Sequence, residues 1–113
     1  MTQSEADIRA ILKARRADIE AASAEQQDER KPVELDQQSV GRLSRMDAMQ
    51  VQAMAKEAER RRLAEIQRIE AALVRLDQGE YGHCVTCGDD IDPKRLAFDP
   101  AIPTCITCAK GAT

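Results

Sequence analysis

The chain has 113 residues and a net charge of −3, with 33% charged residues and only two aromatic side chains, Tyr81 and Phe98. Hydrophobic residues make up 42% of the chain, but eighteen of them are alanines, which bury little apolar area. This composition excludes a thick globular core, and with it a β-sandwich or an α/β enzyme with a roomy pocket. It favours long exposed helices, because Ala, Glu, Arg, Gln and Leu are strong helix formers. The acidic balance also provides no overall positive field for nucleic-acid phosphates.

The polar N-terminal sequence and the lack of a long apolar stretch indicate a cytoplasmic protein. The first ten residues, MTQSEADIRA, are polar and acidic and lack the apolar core of a signal peptide. No stretch approaches the roughly 18 apolar residues of a membrane span, so no membrane partner is expected. In the cytoplasm, four cysteines indicate metal binding or redox chemistry more than structural disulfides.

The first predicted element is a helix over about residues 4–28. Ser4 is its expected N-cap, with the acidic Asp7 three residues later. Five residues of this helix recur at alternating spacings of four and three and form one stripe: Ile8, Leu12, Arg15, Ile19 and Ala22. The stripe is apolar except for Arg15. So narrow a stripe cannot bury itself, and the sequence therefore predicts a partner helix.

The predicted partner is a second helix over about residues 35–77, preceded by a polar tip at about 29–36. Its last apolar positions form a regular seam: Ile66, Ile69, Leu73 and Leu76. The earlier apolar positions do not keep this regular spacing. Residues 1–78 are thus predicted to form an antiparallel two-helix hairpin, a coiled-coil-like arm. Because the second helix is the longer one, its seam needs cover from the C-terminal residues, the N-terminal residues or another chain. We expect a monomer or a weak dimer.

Residues 79–113 are predicted to form a separate small module organised by cysteines. Cys84 and Cys87 have two residues between them, as have Cys105 and Cys108, and seventeen residues separate the pairs. This spacing is typical of a structural zinc site, and so short a module needs a metal to supplement its small core. We predict one structural Zn²⁺ with all four thiolates as ligands, which leaves no position for a catalytic water. A redox Cys-x-x-Cys pair is the alternative.

The residues between the two cysteine pairs are predicted to form a turn at 92–96 and then a strand that leads to Cys105. Lys94 and Arg95 are candidate partner contacts, the alternative being solvated charges of the turn. His83 is expected to be a bystander beside the metal site. An apolar floor next to the metal is expected from four residues: Ile91, Leu96, Phe98 and Ile102.

The C-terminal residues resemble the C4-type zinc finger of the DksA/TraR family. The likeness rests on the opening Glu80-Tyr81-Gly82-His83-Cys84-x-x-Cys87-Gly88, on Lys94-Arg95-Leu96 and on the closing Cys105-x-x-Cys108. The predicted hairpin is similar to the coiled-coil arm of that family. The resemblance implies a bacterial transcription regulator, not an enzyme, that binds RNA polymerase through its secondary channel and modulates initiation without sequence-specific DNA binding. It also implies the nucleotide ppGpp as a candidate partner.

The predicted hairpin tip differs from the family pattern. The long family members carry D-x-x-D-x-A at this place, and the nearest carboxylates here are Glu34 and Asp36. The resemblance makes these two residues candidates for action on the polymerase, while Asp36 has the alternative role of capping the second helix. Two other functions stay open: a zinc-structured protein–protein adaptor, and a thiol–disulfide protein that uses a Cys-x-x-Cys pair.

Overall fold

A computed structural model describes residues 4–27 and 42–111 of the chain. In this part the protein has four helices, α1 at Glu5–Glu25, α2 at Arg42–Asp77, α3 at Pro93–Phe98 and α4 at Ile106–Ala109. Its described residues contain no strand, and His83 and Asp90 form an isolated bridge. The mainly helical fold predicted from the composition is confirmed. The predicted tip at 29–36, with Glu34 and Asp36, lies outside the described residues.

The ends of the two long helices follow the capping rules. Ser4 Oγ accepts a hydrogen bond of 3.1 Å from a backbone N–H of the first turn, so that Ser4 caps α1 as predicted. Beyond α2, the Gly79 N–H donates to the Leu76 carbonyl at 3.2 Å, and the Glu80 N–H donates to the Arg75 carbonyl at 2.8 Å. These two bonds make a Schellman motif, for which Gly79 adopts a φ of +73°. The helix therefore ends directly before the cysteine-containing residues.

The described residues fall into two compact units, and both long helices contribute to each. One unit comprises residues 4–17 and 65–111, and the other comprises residues 18–27 and 42–64. The start of α1 groups with the end of α2, whereas the end of α1 groups with the preceding part of α2. This is the order that an antiparallel helix pair gives. The four cysteines lie in the first unit, which we call the cysteine unit.

The cysteine unit has a small apolar core. Leu12 of α1 and Ile69 of α2 are completely buried, and the other buried residues of this unit are Ala72, Leu73, Leu76, Cys84, Ile91, Pro100 and Ala101. Three members of the predicted seam of α2 are among them. The seam is therefore covered within the chain itself, by a core to which α1 and the cysteine-containing residues also contribute.

The segment after the first cysteine pair is helical where a turn was predicted. Asp92 caps α3 by accepting a 2.9 Å hydrogen bond from the Lys94 N–H, and Pro93 occupies the first helical position. A capping aspartate followed by proline is a helix start signal, which explains why these residues continue into a helix. The strand predicted to lead to Cys105 is wrong, since residues 99–105 contain no strand.

The prediction for Phe98 is also wrong, and the helix explains why. Phe98 is 86% exposed at the end of α3, whereas Leu96 is half-buried. Residues two apart share a face in a strand, but in a helix they are separated by about 200°. The helical backbone therefore directs Phe98 away from the apolar floor, to which Ile91 still contributes as a buried residue.

The second unit is held together by polar contacts around a narrow apolar strip. Ala55 of α2 is buried, and Ser23 Oγ of α1 donates a 2.7 Å hydrogen bond to Glu59. Arg62 lies 3.3 Å from Glu59 and also donates to Gln26. The large apolar residues of this part of α2 are more than half exposed, in line with their drifting pattern: Met46, Met49, Val51, Met54 and Leu63. No helix among the described residues has the length and apolar character that crossing a membrane requires.

Candidate metal centre

Four cysteine thiols converge in the cysteine unit. The sulfur atoms of Cys84, Cys87, Cys105 and Cys108 all lie within 4.8 Å of one another, and those of Cys87 and Cys105 are 3.7 Å apart. All four are free cysteines. A tetrahedral zinc ion with Zn–S bonds of about 2.3 Å needs sulfur atoms about 3.8 Å apart. The cluster therefore has close to the size and the donor set that one zinc ion requires.

The first cysteine pair lies in a tight turn that backbone hydrogen bonds fix. The Gly88 N–H donates to the Cys84 carbonyl at 2.9 Å, and the Cys84 N–H donates to the Asp89 carbonyl at 2.7 Å. Directly after Cys87, Gly88 adopts a φ of +81°, a conformation that a glycine takes without steric cost. The Thr86 N–H lies 3.4 Å from Cys84 Sγ. Such an N–H directed at a ligand atom orients the sulfur and stabilises its thiolate.

The second cysteine pair is positioned by the short helix α4. Cys105 precedes the helix as its N-cap residue, and Cys108 lies within it. The Ala109 N–H donates to the Cys105 carbonyl at 2.9 Å, which closes the helical turn. Residues three apart lie on the same side of a helical turn, so both thiols face the cluster.

Two hydrogen bonds fix the loop that leads to Cys105. The Val85 N–H donates to the Pro103 carbonyl at 2.9 Å, and Arg95 Nε donates to the Thr104 carbonyl at 3.1 Å. Arg95 therefore links α3 to the segment directly before the second cysteine pair, while Lys94 is exposed. Of the two predicted partner contacts, Arg95 thus makes a hydrogen bond within the protein, whereas Lys94 extends into solvent.

The electrostatics of the thiols favour a cation at the centre of the cluster. Backbone N–H groups of Cys87 and Cys105 lower the pKa of Cys84 to about 6. The neighbouring sulfurs of Cys105 and Cys84 raise the pKa of Cys108 to about 12. Four adjacent thiolates repel one another, so full ionisation of the set needs a positive charge between them. A dication supplies that charge, and thiolates are preferred ligands of zinc.

His83 does not join the cluster. Its Nδ1 lies 2.9 Å from Asp90 Oδ1, and both side chains are more than half exposed. The same two residues form the isolated backbone bridge. This placement agrees with the bystander role expected for His83.

An ionic cluster around Asp99 was not predicted from the sequence. The Asp99 carboxylate, directly after α3, lies 2.7 Å from Arg68 of α2 and 3.8 Å from Arg15 of α1. Arg15 is the residue that interrupts the apolar stripe of α1. Its charge lies next to the carboxylate of Asp99, which follows 84 positions later in the chain. Next to this cluster, the Tyr81 hydroxyl donates to the Pro100 carbonyl at 2.7 Å. These contacts connect both long helices to the segment between the cysteine pairs.

Known proteins share the cysteine pattern. The family model "Prokaryotic dksA/traR C4-type zinc finger" matches residues 79–113. Residues 79–113 are therefore similar to the DksA/TraR zinc fingers. Over 43 residues the chain is also 40% identical to the "RNA polymerase-binding transcription factor DksA" of Haemophilus influenzae. That match covers 38% of this chain but only 30% of the relative's length.

A solved structure extends the likeness to the fold of the chain. The structure of transcription factor DksA2 from Pseudomonas aeruginosa matches with a TM-score of 0.72 and 23% sequence identity. The match covers 96% of this chain and 81% of that chain. This structural match shows a common, mainly helical fold. The DksA/TraR resemblance itself is confirmed by the match of residues 79–113 to the C4 zinc-finger family model. The clustered cysteines and the family match together also confirm one structural zinc as the cofactor.

Proposed function

We propose that this protein is a bacterial transcription regulator that binds RNA polymerase directly and modulates initiation without reading DNA sequence. The supporting observation is a combination: a DksA/TraR zinc finger lies in a chain whose fold matches a transcription factor over 96% of its length. The Haemophilus influenzae relative is named as RNA polymerase-binding. The net charge of −3 favours a protein partner over nucleic acid.

The proposed route of binding is insertion of the two long helices into the secondary channel of the polymerase. α1 and α2 have 21 and 36 residues, which correspond to about 31 Å and 54 Å of helix. Helices of this length can reach deep into a channel. Glu34 and Asp36 are the proposed acting residues of the tip, and ppGpp remains a candidate partner from the family resemblance alone. The proposed place of action is the cytoplasm.

The proposed ligands of the structural zinc are Cys84, Cys87, Cys105 and Cys108. A bound zinc supplies the positive charge that lets all four sulfurs ionise, and its coordination contributes directly to folding. Four protein ligands leave no open position for a substrate or a catalytic water, which supports a regulatory rather than an enzymatic role.

A thiol–disulfide function has less support than the regulatory one. Cys84 has the lowered pKa that a reactive thiol needs, but this residue is only 3% exposed. A reactive cysteine has to be accessible as well as ionised. The adaptor alternative predicts a zinc-loaded protein that binds another protein and does not bind polymerase.

The experiment that tests the proposal combines polymerase binding with a transcription assay. Purified zinc-loaded protein is expected to bind core RNA polymerase and to change the lifetime of promoter complexes. Replacing Glu34 and Asp36 together by Ala should preserve binding but abolish the effect on promoter complexes. The matched control replaces Asp18 and Glu25, two exposed carboxylates of α1, and should preserve both properties.

Two results would contradict parts of the proposal. Failure of the zinc-loaded protein to bind polymerase would refute the proposed partner and favour the adaptor. Equal loss of activity in the tip variant and the α1 control would refute the assignment of the tip carboxylates.

A further inference from the structure

An apolar surface lies on the cysteine unit, formed by residues of α3 and α4. Phe98, at the end of α3, is 86% exposed, and Ile106, at the start of α4, is 56% exposed. Both line an open concavity of about 540 Å³, which we call the Phe98 concavity. Phe98 is the only phenylalanine of the chain, so its largest apolar side chain is exposed to solvent. An exposed aromatic next to a second apolar residue is typical of a protein-binding surface.

The exposure of Phe98 follows from the backbone and from the core. Leu96 occupies the inward face of α3, and Phe98 is about 200° further around the helix. Residue 98 can therefore not join the core of the unit while α3 is intact. An aromatic ring at this position contributes little to folding, so its apolar area is available for binding.

The charges around the Phe98 concavity define the chemistry of its partner. Three carboxylates line it, Asp89, Asp90 and Asp92, against the two cations Lys94 and Arg95. Carboxylates therefore outnumber cations by one among the lining residues. The zinc site adds negative charge, because one dication does not neutralise four thiolates. Cys105 of that site also lines the concavity.

This charge distribution selects a protein segment among the possible partners. Nucleic acid and anionic membranes carry dense negative charge, so both are repelled by the carboxylates and the zinc thiolates. A cationic protein segment is attracted, and an aliphatic side chain on it matches the apolar part of the concavity.

We propose that the Phe98 concavity is a docking surface for a cationic amphipathic segment of a partner protein. The segment presents a large aliphatic side chain to Phe98 and Ile106, while a neighbouring Lys or Arg side chain pairs with Asp89. The buried aromatic contact supplies most of the affinity, and the rim charges set the orientation and speed of association. The proposal concerns residues other than the predicted tip and does not depend on the identity of the main partner.

The test is an NMR titration of the zinc-loaded, ¹⁵N-labelled full chain with a synthetic amphipathic peptide made of Leu and Lys. Chemical-shift changes are expected at residues 89–98 and 105–107. Replacing Phe98 by Ser should weaken binding about tenfold, as loss of an aromatic hot spot does. Asp89→Asn should weaken binding by a smaller factor and reduce its dependence on salt.

The controls separate docking from non-specific attraction and from unfolding. Leu63→Ser removes a 51% exposed leucine from the second unit and should leave the dissociation constant unchanged. Phe98→Ser should retain its zinc content and melting temperature, because an exposed side chain contributes little to either. A peptide with Glu in place of Lys should not bind.

Three outcomes would overturn the proposal. The first is an unchanged affinity of the Phe98→Ser variant for the Leu–Lys peptide. The second is a set of chemical-shift changes spread along α2 rather than confined to the concavity. The third is a loss of affinity in Leu63→Ser as large as that in Phe98→Ser.

Discussion

Replacement of Leu12 by Ala tests whether the start of α1 is an integral part of the cysteine unit. Leu12 is completely buried, in a core that also contains Ile69 of α2 and Ile91 from the segment between the cysteine pairs. The substitution removes three buried carbon groups, at about 0.8 kcal/mol each in transfer free energy. The cavity that remains adds to this cost, so we expect a loss of about 3–4 kcal/mol in unfolding free energy.

The loss should be measured by chemical denaturation of the zinc-loaded protein, followed by circular dichroism at the helical band. For 113 residues, a loss of this size corresponds to a fall in melting temperature of about 10 °C or more. Leu63→Ala is the matched control, because it deletes the same atoms from a half-exposed site and should cost about 1 kcal/mol. If Leu12→Ala destabilises the protein no more than Leu63→Ala does, α1 is not part of the core.

Four further outcomes are expected. Removal of zinc by a chelator should unfold the segment that contains the cysteines, seen as loss of its dispersed NMR signals, while zinc restores them. Tyr81→Phe should lower the unfolding free energy by about 1 kcal/mol in the same denaturation assay, because the carbonyl of the buried Pro100 loses its 2.7 Å donor. Arg95→Ala should weaken zinc retention in a chelator competition, since it frees the loop before the second cysteine pair, whereas Lys94→Ala should not. The Arg60 side chain donates to Glu57 and lowers the pKa of that carboxyl from 4.5 to about 2. The stabilisation from this pair is therefore full above the usual pKa and is lost as the pH falls through about 2; Arg60→Ala should return the pKa of Glu57 toward 4.5 in an NMR titration.

The metal centre was predictable because the spacing within each cysteine pair determines where its sulfur atoms lie. Two residues between the members of each cysteine pair allow one tight turn or one helical turn to direct both sulfurs to the same point. Gly88 allows the first of these turns, and α4 supplies the second. The seam of α2 was predictable for a similar reason, since helical periodicity identifies its buried face from the sequence alone.

The Asp99 cluster was not predictable because it joins three distant parts of the chain. Arg15, Arg68 and Asp99 carry no spacing that relates them, and each alone is typical of a solvated surface. The one signal was the position of Arg15 on an otherwise apolar stripe, which in retrospect indicates a charged partner at that face. Phe98 was misplaced for a different reason, namely that a helix and a strand send residues two apart to different faces.

Binding to core RNA polymerase is the measurement that tests the central claim most directly. Fluorescently labelled, zinc-loaded protein should be titrated with purified core polymerase, and its anisotropy should rise to saturation with one molecule bound per polymerase. Removal of zinc should abolish the rise, and restoration of zinc should recover it. An anisotropy that stays flat while the protein is folded and zinc-loaded would contradict the claim that this chain is a polymerase-binding regulator.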